Sequence, residues 1–200
     1  GYAEEGDWER TDYHFDQVET LTQNAPDPSL YIIAVEGRVH INAIHFRGDY
    51  AAGLARLEEL LNLLDTATTP IADEEELRSR VLQSVPTLAM RYGDYGMAVH
   101  YGRLNLARIT DLAHQQQRVW ILLDVALSEQ FAGLYPEAIA HNQEALALAQ
   151  EIGAQDDIGL LNANLCLTMR QSGELEKALA HGLKGAEILK ELGITRQEGQ

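Results

Sequence analysis

Cysteine is nearly missing from this chain: Cys166 is the only one in 200 residues. No intrachain disulfide framework is available, which suits a reducing compartment, so a cytoplasmic location is expected. Basic residues are scarce too, with 15 Lys and Arg against 31 Asp and Glu for a formal net charge of −16. Direct nucleic-acid binding needs clustered cations against phosphate, and anionic membranes draw the same surfaces, so neither partner is expected. No apolar run approaches the ~20 residues of a bilayer span. Absent as well are a Gly-x-Ser-x-Gly elbow and a phosphate loop ending in Gly-Lys-Ser/Thr. The sequence is therefore read as non-enzymatic, with no cofactor. What is present, 46% hydrophobic and 23% charged residues, is the make-up of a chain with a buried core.

Seven histidines are the remaining candidates for metal chemistry. His40 and His45 are five apart, which does not place two ligands on one helical face as a four-residue step would. His100 and His114 have no Cys or His close in sequence. No metal site is expected. Cys166 falls at a small-residue position of a helix, and reactive thiols need an electropositive, partly open setting, so it reads as structural.

The acid excess is uneven. Residues 1–30 hold eight acids against Arg10 alone, whereas residues 81–130 balance at zero, with Asp94, Asp111, Asp124 and Glu129 against Arg91, Arg103, Arg108 and Arg118. The acids read as solvated helix faces that maintain solubility. The neutral stretch is the place where arginines could receive a carboxylate-bearing partner.

Self-similarity organises the rest. Gly133-Leu134-Tyr135-Pro136-Glu137-Ala138 is echoed by Gly173-Glu174-Leu175-Glu176-Lys177-Ala178, by Gly93-Asp94-Tyr95-Gly96-Met97-Ala98 and by Gly48-Asp49-Tyr50-Ala51-Ala52-Gly53, with a weaker copy at Gly6-Asp7-Trp8. The glycines are spaced 42, 45, 40 and 40 residues apart. Each copy has a bulky residue two places on (Trp8, Tyr50, Tyr95, Tyr135, Leu175) and a small one five places on (Thr11, Gly53, Ala98, Ala138, Ala178). Glycine ends one helix and turns tightly into the next, the bulky residue plugs the corner, and the small one lets two backbones approach. Gly153 and Gly193 fall 20 residues after their repeat glycines as second helix stops, with Ala113 at the same place one unit earlier. Apolar residues at steps of three and four (Val119, Leu122, Val125, Ala126; Leu161, Leu165, Cys166, Met169) make both arms helical. The longer step is expected to sit in Asp65–Glu76, a loop followed by an acidic helix start. Pro86, inside a first helix, predicts a kink or a late start. Gly182 and Gly185 read as packing notches within a helix.

This pattern resembles the tetratricopeptide repeat (TPR) family, over about Tyr2 to Gly193, in a variant longer than the usual 34-residue unit. HEAT or armadillo arrays are the competing match in repeat length. The resemblance implies an all-α fold, a right-handed superhelical solenoid of antiparallel helix pairs, with approximate units 1–28, 29–73, 74–114, 115–153 and 154–193 and the start of a further unit at 194–200. The repeat frame makes both ends look cut, as in a fragment of a longer array. In such arrays the first helices line the concave face, and contacts come from positions about 13, 10, 6 and 3 before the turn glycine. Carried over, that face includes Val35, Arg38, Asn42 and His45, then Arg80, Gln83, Thr87 and Met90 with Arg91 adjacent. It continues through Trp120, Leu123, Leu127 and Gln130 to Leu160, Ala163, Leu167 and Arg170. Trp120, Leu123, Leu127, Leu160 and Leu167 are read either as groove lining or as core under neighbouring helices. An open groove, arginine-bearing in its first half and apolar in its second, would suit a peptide with an acidic end and a hydrophobic anchor.

The expected function is a protein- or peptide-binding scaffold, the sensor or interaction region of a larger bacterial regulatory protein. The alternatives are a structural spacer or self-assembly element associating through its repeat ends, and a small-molecule effector site in the same groove.

Overall fold

The computed structural model describes residues 8–43, 48–109 and 114–193. Among these the regular structure is helical, with no strand: α1 (Trp8–Thr22), α2 (Ser29–Ile41), α3 (Tyr50–Thr66), α4 (Glu74–Tyr92), α5 (Tyr95–Arg108), α6 (Gln115–Phe131), α7 (Tyr135–Ile152), α8 (Gln155–Gln171) and α9 (Leu175–Glu191). The repeat glycines Gly48, Gly93, Gly133 and Gly173 all have positive φ, as do the second stops Gly153 and Gly193. At Gly133, φ is +77°, and Leu134 N–H donates to the Glu129 carbonyl at 2.8 Å. That bond closes the end of α6, and a side chain at residue 133 would meet the left-handed penalty. The corner residues Tyr50, Tyr95, Tyr135 and Leu175 each open a helix. Gly6 and Ala113 lie outside the described residues.

Local capping follows from the same motif. The Asp49 carboxylate accepts from Ala52 N–H at 3.1 Å and Asp94 from Met97 N–H at 2.8 Å, each meeting an otherwise orphaned helix-start donor. Glu74, Glu75 and Glu76 occupy the first turn of α4, at the positive end of the helix dipole. Pro86 lies inside α4, buried, twelve residues after the helix begins at Glu74. The late start is therefore corrected: the neighbouring apolar burial of Val81, Leu82, Val85, Leu88 and Ala89 holds the helix through the one hydrogen bond that proline removes.

The chain divides into two compact units, Gly1–Tyr101 and Gly102–Gln200. In unit 1, Ile32, Val35 and Val39 of α2 pack with Leu54, Leu57, Leu60 and Leu64 of α3 and Val81, Leu82, Val85 and Leu88 of α4. The Phe15 ring of α1 lies over Gly37 of α2, where a Cβ would come within 2.6 Å of it. In unit 2, Val119 and Leu122 of α6 pack with Ala145, Leu146 and Ala149 of α7 and Ile158, Leu161, Leu165 and Met169 of α8. The small residues Ala98, Ala138 and Ala178 are buried, as close helix pairing requires.

Helices α8 and α9 meet through glycine. A Cβ on Gly185 would stand 3.1 Å from both Ala163 N and Gly159 O of the α8 backbone, whereas one on Gly159 would press mainly on the Leu189 side chain. Cys166, half-buried, fills the notch at Gly182 with its Sγ. Because backbone cannot swing aside and a leucine tip can, Gly185→Ala is expected to destabilise the chain by about 1–2 kcal/mol. Overpacking there outweighs the ~1 kcal/mol of helix propensity gained. Gly159→Ala is expected to be nearly neutral, and equal unfolding midpoints for the two variants in urea would contradict the notch.

Candidate functional site

Unit 1 brings together several of the arginines singled out by the repeat frame, but spends them on its own acids. Arg38 of α2 donates to Asp12 Oδ1 and Glu19 Oε2 of α1, each at 3.1 Å, and forms an ion pair with Asp16 Oδ1 of the same helix at 2.7 Å. Asn42 Nδ2 donates to Asp12 Oδ1 at 2.6 Å, and Arg56 of α3 reaches Glu19 Oε1 at 2.5 Å. Burial alone would push the Glu19 carboxyl up, yet the hydrogen bonds from Arg56 and Arg38 hold it below the usual glutamate range. Arg80 of α4 donates to Glu36 Oε2 at 2.9 Å, and Ser84 Oγ to Glu36 Oε1 at 2.6 Å. Gln83 and Thr87 are half-buried, with the Thr87 hydroxyl turned back on the Gln83 carbonyl at 3.3 Å. Val35 is buried in the core, Met90 is half-buried and Arg91 is exposed. His45 lies outside the described residues. A cavity of about 220 Å³ opens beside Arg38, Asn42 and Arg56, between cations that are already neutralised.

Unit 2 differs in kind. Helices α6 and α8 lie side by side and parallel, tied near their starts by Gln116 Nε2 donating to Asp157 Oδ2 at 2.6 Å and near their ends by Thr168 Oγ1 donating to Gln130 Oε1 at 3.0 Å. One side of each helix is core. The other carries Trp120, 51% exposed, with Leu123 and Leu127 half-buried on α6, and Leu160 and Leu167, 43% and 44% exposed, on α8. Ala163 is half-buried, and Arg170 is exposed at the far end of α8. These open apolar side chains thus stand on helices whose other sides are packed.

Two residues of unit 2 were not singled out from sequence. Asp124 sits at i+4 from Trp120 and i−3 from Leu127, so it shares their stripe. It is half-buried, and loss of water around it pushes its carboxyl from the usual 3.8 up to about 6. Glu129 is fully buried at the place where the neighbouring repeats carry Ala89 and Met169. Arg103 Nε and Nη2 donate to its Oε1 at 2.9 and 2.8 Å, and His141 Nδ1 meets its Oε2 at 2.7 Å. The repeat frame held a signal for both: an acid inside an apolar stripe, and an acid at a core position.

The position eight after the repeat glycine is a half-buried polar bridge in the units of Gly48, Gly93, Gly133 and Gly173. Arg56 reaches Glu19, Tyr101 Oη donates to Glu58 at 3.1 Å, His141 meets Glu129, and His181 Nδ1 meets Asn162 Oδ1 at 2.8 Å. His14, at the same place, is exposed. The hydrogen bond to Glu129, outweighing burial, raises His141 above the ordinary histidine range. His141 thus contributes stability that is complete below about 6.5 and is lost as pH climbs through its raised value. Burial, with Lys184 nearby, lowers His181 and gives the opposite trend as pH falls.

Among the described residues no group of three or more His, Cys, Asp and Glu side chains is arranged to hold a metal ion. No described helix is long and apolar enough to cross a membrane.

No protein family model matches the sequence, and no curated protein matches it. Solved structures do. A kinesin light chain-type protein of nearly identical TPR-like repeats from Podosopora anserina superimposes with a TM-score of 0.72 at 12% identity, over 97% of this chain and 90% of that one. BtubC from P. vanneervenii matches with a TM-score of 0.59 at 12% identity, over 98% and 96%. PlcR of Bacillus thuringiensis, in complex with the peptide PapR7 and DNA, matches with a TM-score of 0.62 at 13% identity, over 92% of this chain and 66% of PlcR. Likenesses at 12–13% identity carry the fold: this chain is built, as the TPR-like repeat proteins are, from antiparallel helix pairs joined at glycine turns.

Proposed function

We propose that the chain is a peptide-binding repeat scaffold, the interaction region of a larger bacterial regulatory protein of the cytoplasm, and that its working surface is the α6–α8 face of unit 2. The observation that carries this reading is the exposure of Trp120, Leu160 and Leu167 on two helices whose opposite sides are fully packed. In this reading the ligand's lane runs between Leu123 and Leu127 on one helix and Leu160 and Leu167 on its parallel neighbour, suited to the apolar side of an extended or helical segment. The peptide seen with PlcR, on a related fold, supports the same class of ligand. A net charge of −16 argues against contact with DNA by this region.

Selection from a random peptide library tests the proposal. Trp120→Ala is expected to weaken the enriched peptides by about tenfold or more, as truncating a central aromatic does, and Leu167→Ser to weaken them likewise. Peptides that bind Trp120→Ala as tightly as the parent would overturn it.

A second reading has its own observation. Leu175, Leu179 and Leu183 form a stripe on α9, each 64–65% exposed, and such a stripe supports self-assembly. Sedimentation over a concentration series, comparing the parent with Leu179→Ser, separates the two: assembly abolished by Leu179→Ser favours the second reading, and a monomer throughout disfavours it.

A further inference from the structure

Asp124 is a half-buried acid within the apolar stripe of the α6–α8 face, and its carboxylate meets no partner. It accepts no hydrogen bond and forms no ion pair among the described residues. Of the other acids near this face, Glu129 is taken by Arg103 and His141, Glu144 by Arg118 and Asp157 by Gln116, while Asp156 is exposed to solvent at the start of α8. Its setting is apolar, one helical turn from Trp120 on one side and from Leu127 on the other. The fold does not demand an acid there, because the equivalent places in the flanking units hold the neutral Ser84 and Asn164. A half-buried carboxylate beside open leucines and an indole is only partly hydrated in the free protein, which is unfavourable, and an incoming cation would offset that cost with a charge-assisted hydrogen bond.

The arginines point the same way. Arg38, Arg56, Arg80, Arg103 and Arg118 are each paired with a carboxylate of this chain. An acidic peptide would have to displace those bonds, leaving exposed Arg170 as its main attraction on the α6–α8 face. Within the apolar stripe itself the unpaired charge is negative, at Asp124.

We infer that the α6–α8 face selects peptide segments in which a single lysine or arginine is flanked by large apolar side chains, the cation meeting Asp124 and the flanks meeting Trp120, Leu127, Leu160 and Leu167. This rests on the peptide-binding reading above and names the chemistry of its ligand. The Asp124 carboxylate supplies the selection by charge, and the apolar stripe supplies most of the contact.

The experiment is a random peptide library panned in parallel on the intact chain, on Asp124→Asn and on Trp120→Ala, with helicity of each confirmed by circular dichroism. Peptides enriched on the parent are expected to carry Lys or Arg between apolar residues. On Asp124→Asn the apolar preference is expected to persist and the basic one to vanish. For one enriched peptide, replacing its lysine by norleucine is expected to weaken binding to the parent by about tenfold or more and to leave binding to Asp124→Asn unchanged. Enriched peptides that need Trp120 but carry no basic residue, or keep it equally on Asp124→Asn, would overturn the inference while leaving the peptide-binding reading intact. Peptides indifferent to Trp120, or no enrichment at all, would overturn both.

Discussion

Asp124→Asn is expected to stabilise unit 2 near neutral pH by up to about 3 kcal/mol. The carboxyl rises from the usual 3.8 to about 6 on folding, and each tenfold change in proton affinity is worth about 1.4 kcal/mol. Between about 6 and 3.8 the folded chain binds more protons than the unfolded one, so stability increases as pH falls through that window. Above about 6 the penalty is complete, and below about 4 it is gone. The variant has no such penalty, so its curve should lie above the parent's near neutrality and meet it in acid. His141 slopes the same way at higher pH and is present in both proteins, whereas Glu19, held low by Arg56 and Arg38, loses its contribution only in acid, in unit 1. Urea unfolding across pH in a Trp8→Phe background, where Trp120 is the sole indole, reads unit 2 directly. Equal stabilities of the two proteins near neutrality would show that Asp124 is not the desolvated acid described. A residue that weakens the fold while sitting in the middle of an exposed apolar stripe is what a binding site looks like from the side of stability.

The largest loss is expected from Arg103→Met. Glu129 has no exposed surface, and Arg103 meets its Oε1 through both Nε and Nη2. Removing the cation leaves a buried carboxylate with only His141, a change of about 3–5 kcal/mol in comparable settings. The reverse substitution is not equivalent. Glu129→Met returns Arg103, 46% exposed, and His141 to water and restores the residue type that the next repeat carries at Met169, so it should change stability by less than about 1 kcal/mol. The double variant should recover most of what Arg103→Met loses. Chemical unfolding of the three proteins decides the matter: equal losses in the two single variants would mean that packing, not an uncompensated charge, governs the cluster.

The hairpins of this fold were legible because their determinants are local. A glycine that must adopt positive φ, a bulky corner residue two places on and a small residue three further define a turn within six residues, and Gly93, Gly133 and Gly173 hold it. Pro86 misled for the same reason. Its local effect is real, but burial of Leu82, Val85 and Leu88 around it is a tertiary matter that keeps α4 continuous. The candidate site was legible only as a set of positions. Counting from the turn glycine places Trp120, Leu160 and Leu167 on one side of their helices. Whether that side is covered depends on neighbours that no single helix encodes. Arg38 and Arg80 show the limit more sharply: both stand where the repeat frame puts ligand contacts, and both are held by carboxylates 26 and 44 residues away in sequence. Pairings over that distance follow from helix register, not from spacing along the chain. Asp124 and Glu129 were visible as departures from the repeat, but only burial separates an acid on a solvated face from one that alters the chemistry of a site.

The most direct test of the account is the emission of Trp120 in Trp8→Phe, followed while a library-selected peptide is titrated in. At 51% exposure the indole begins in contact with water. Occupation of the α6–α8 lane predicts a saturable blue shift, with the same midpoint as binding followed by the anisotropy of a fluorescein label on the peptide. Saturable binding by anisotropy with the Trp120 emission unchanged would place the ligand elsewhere and contradict the central claim.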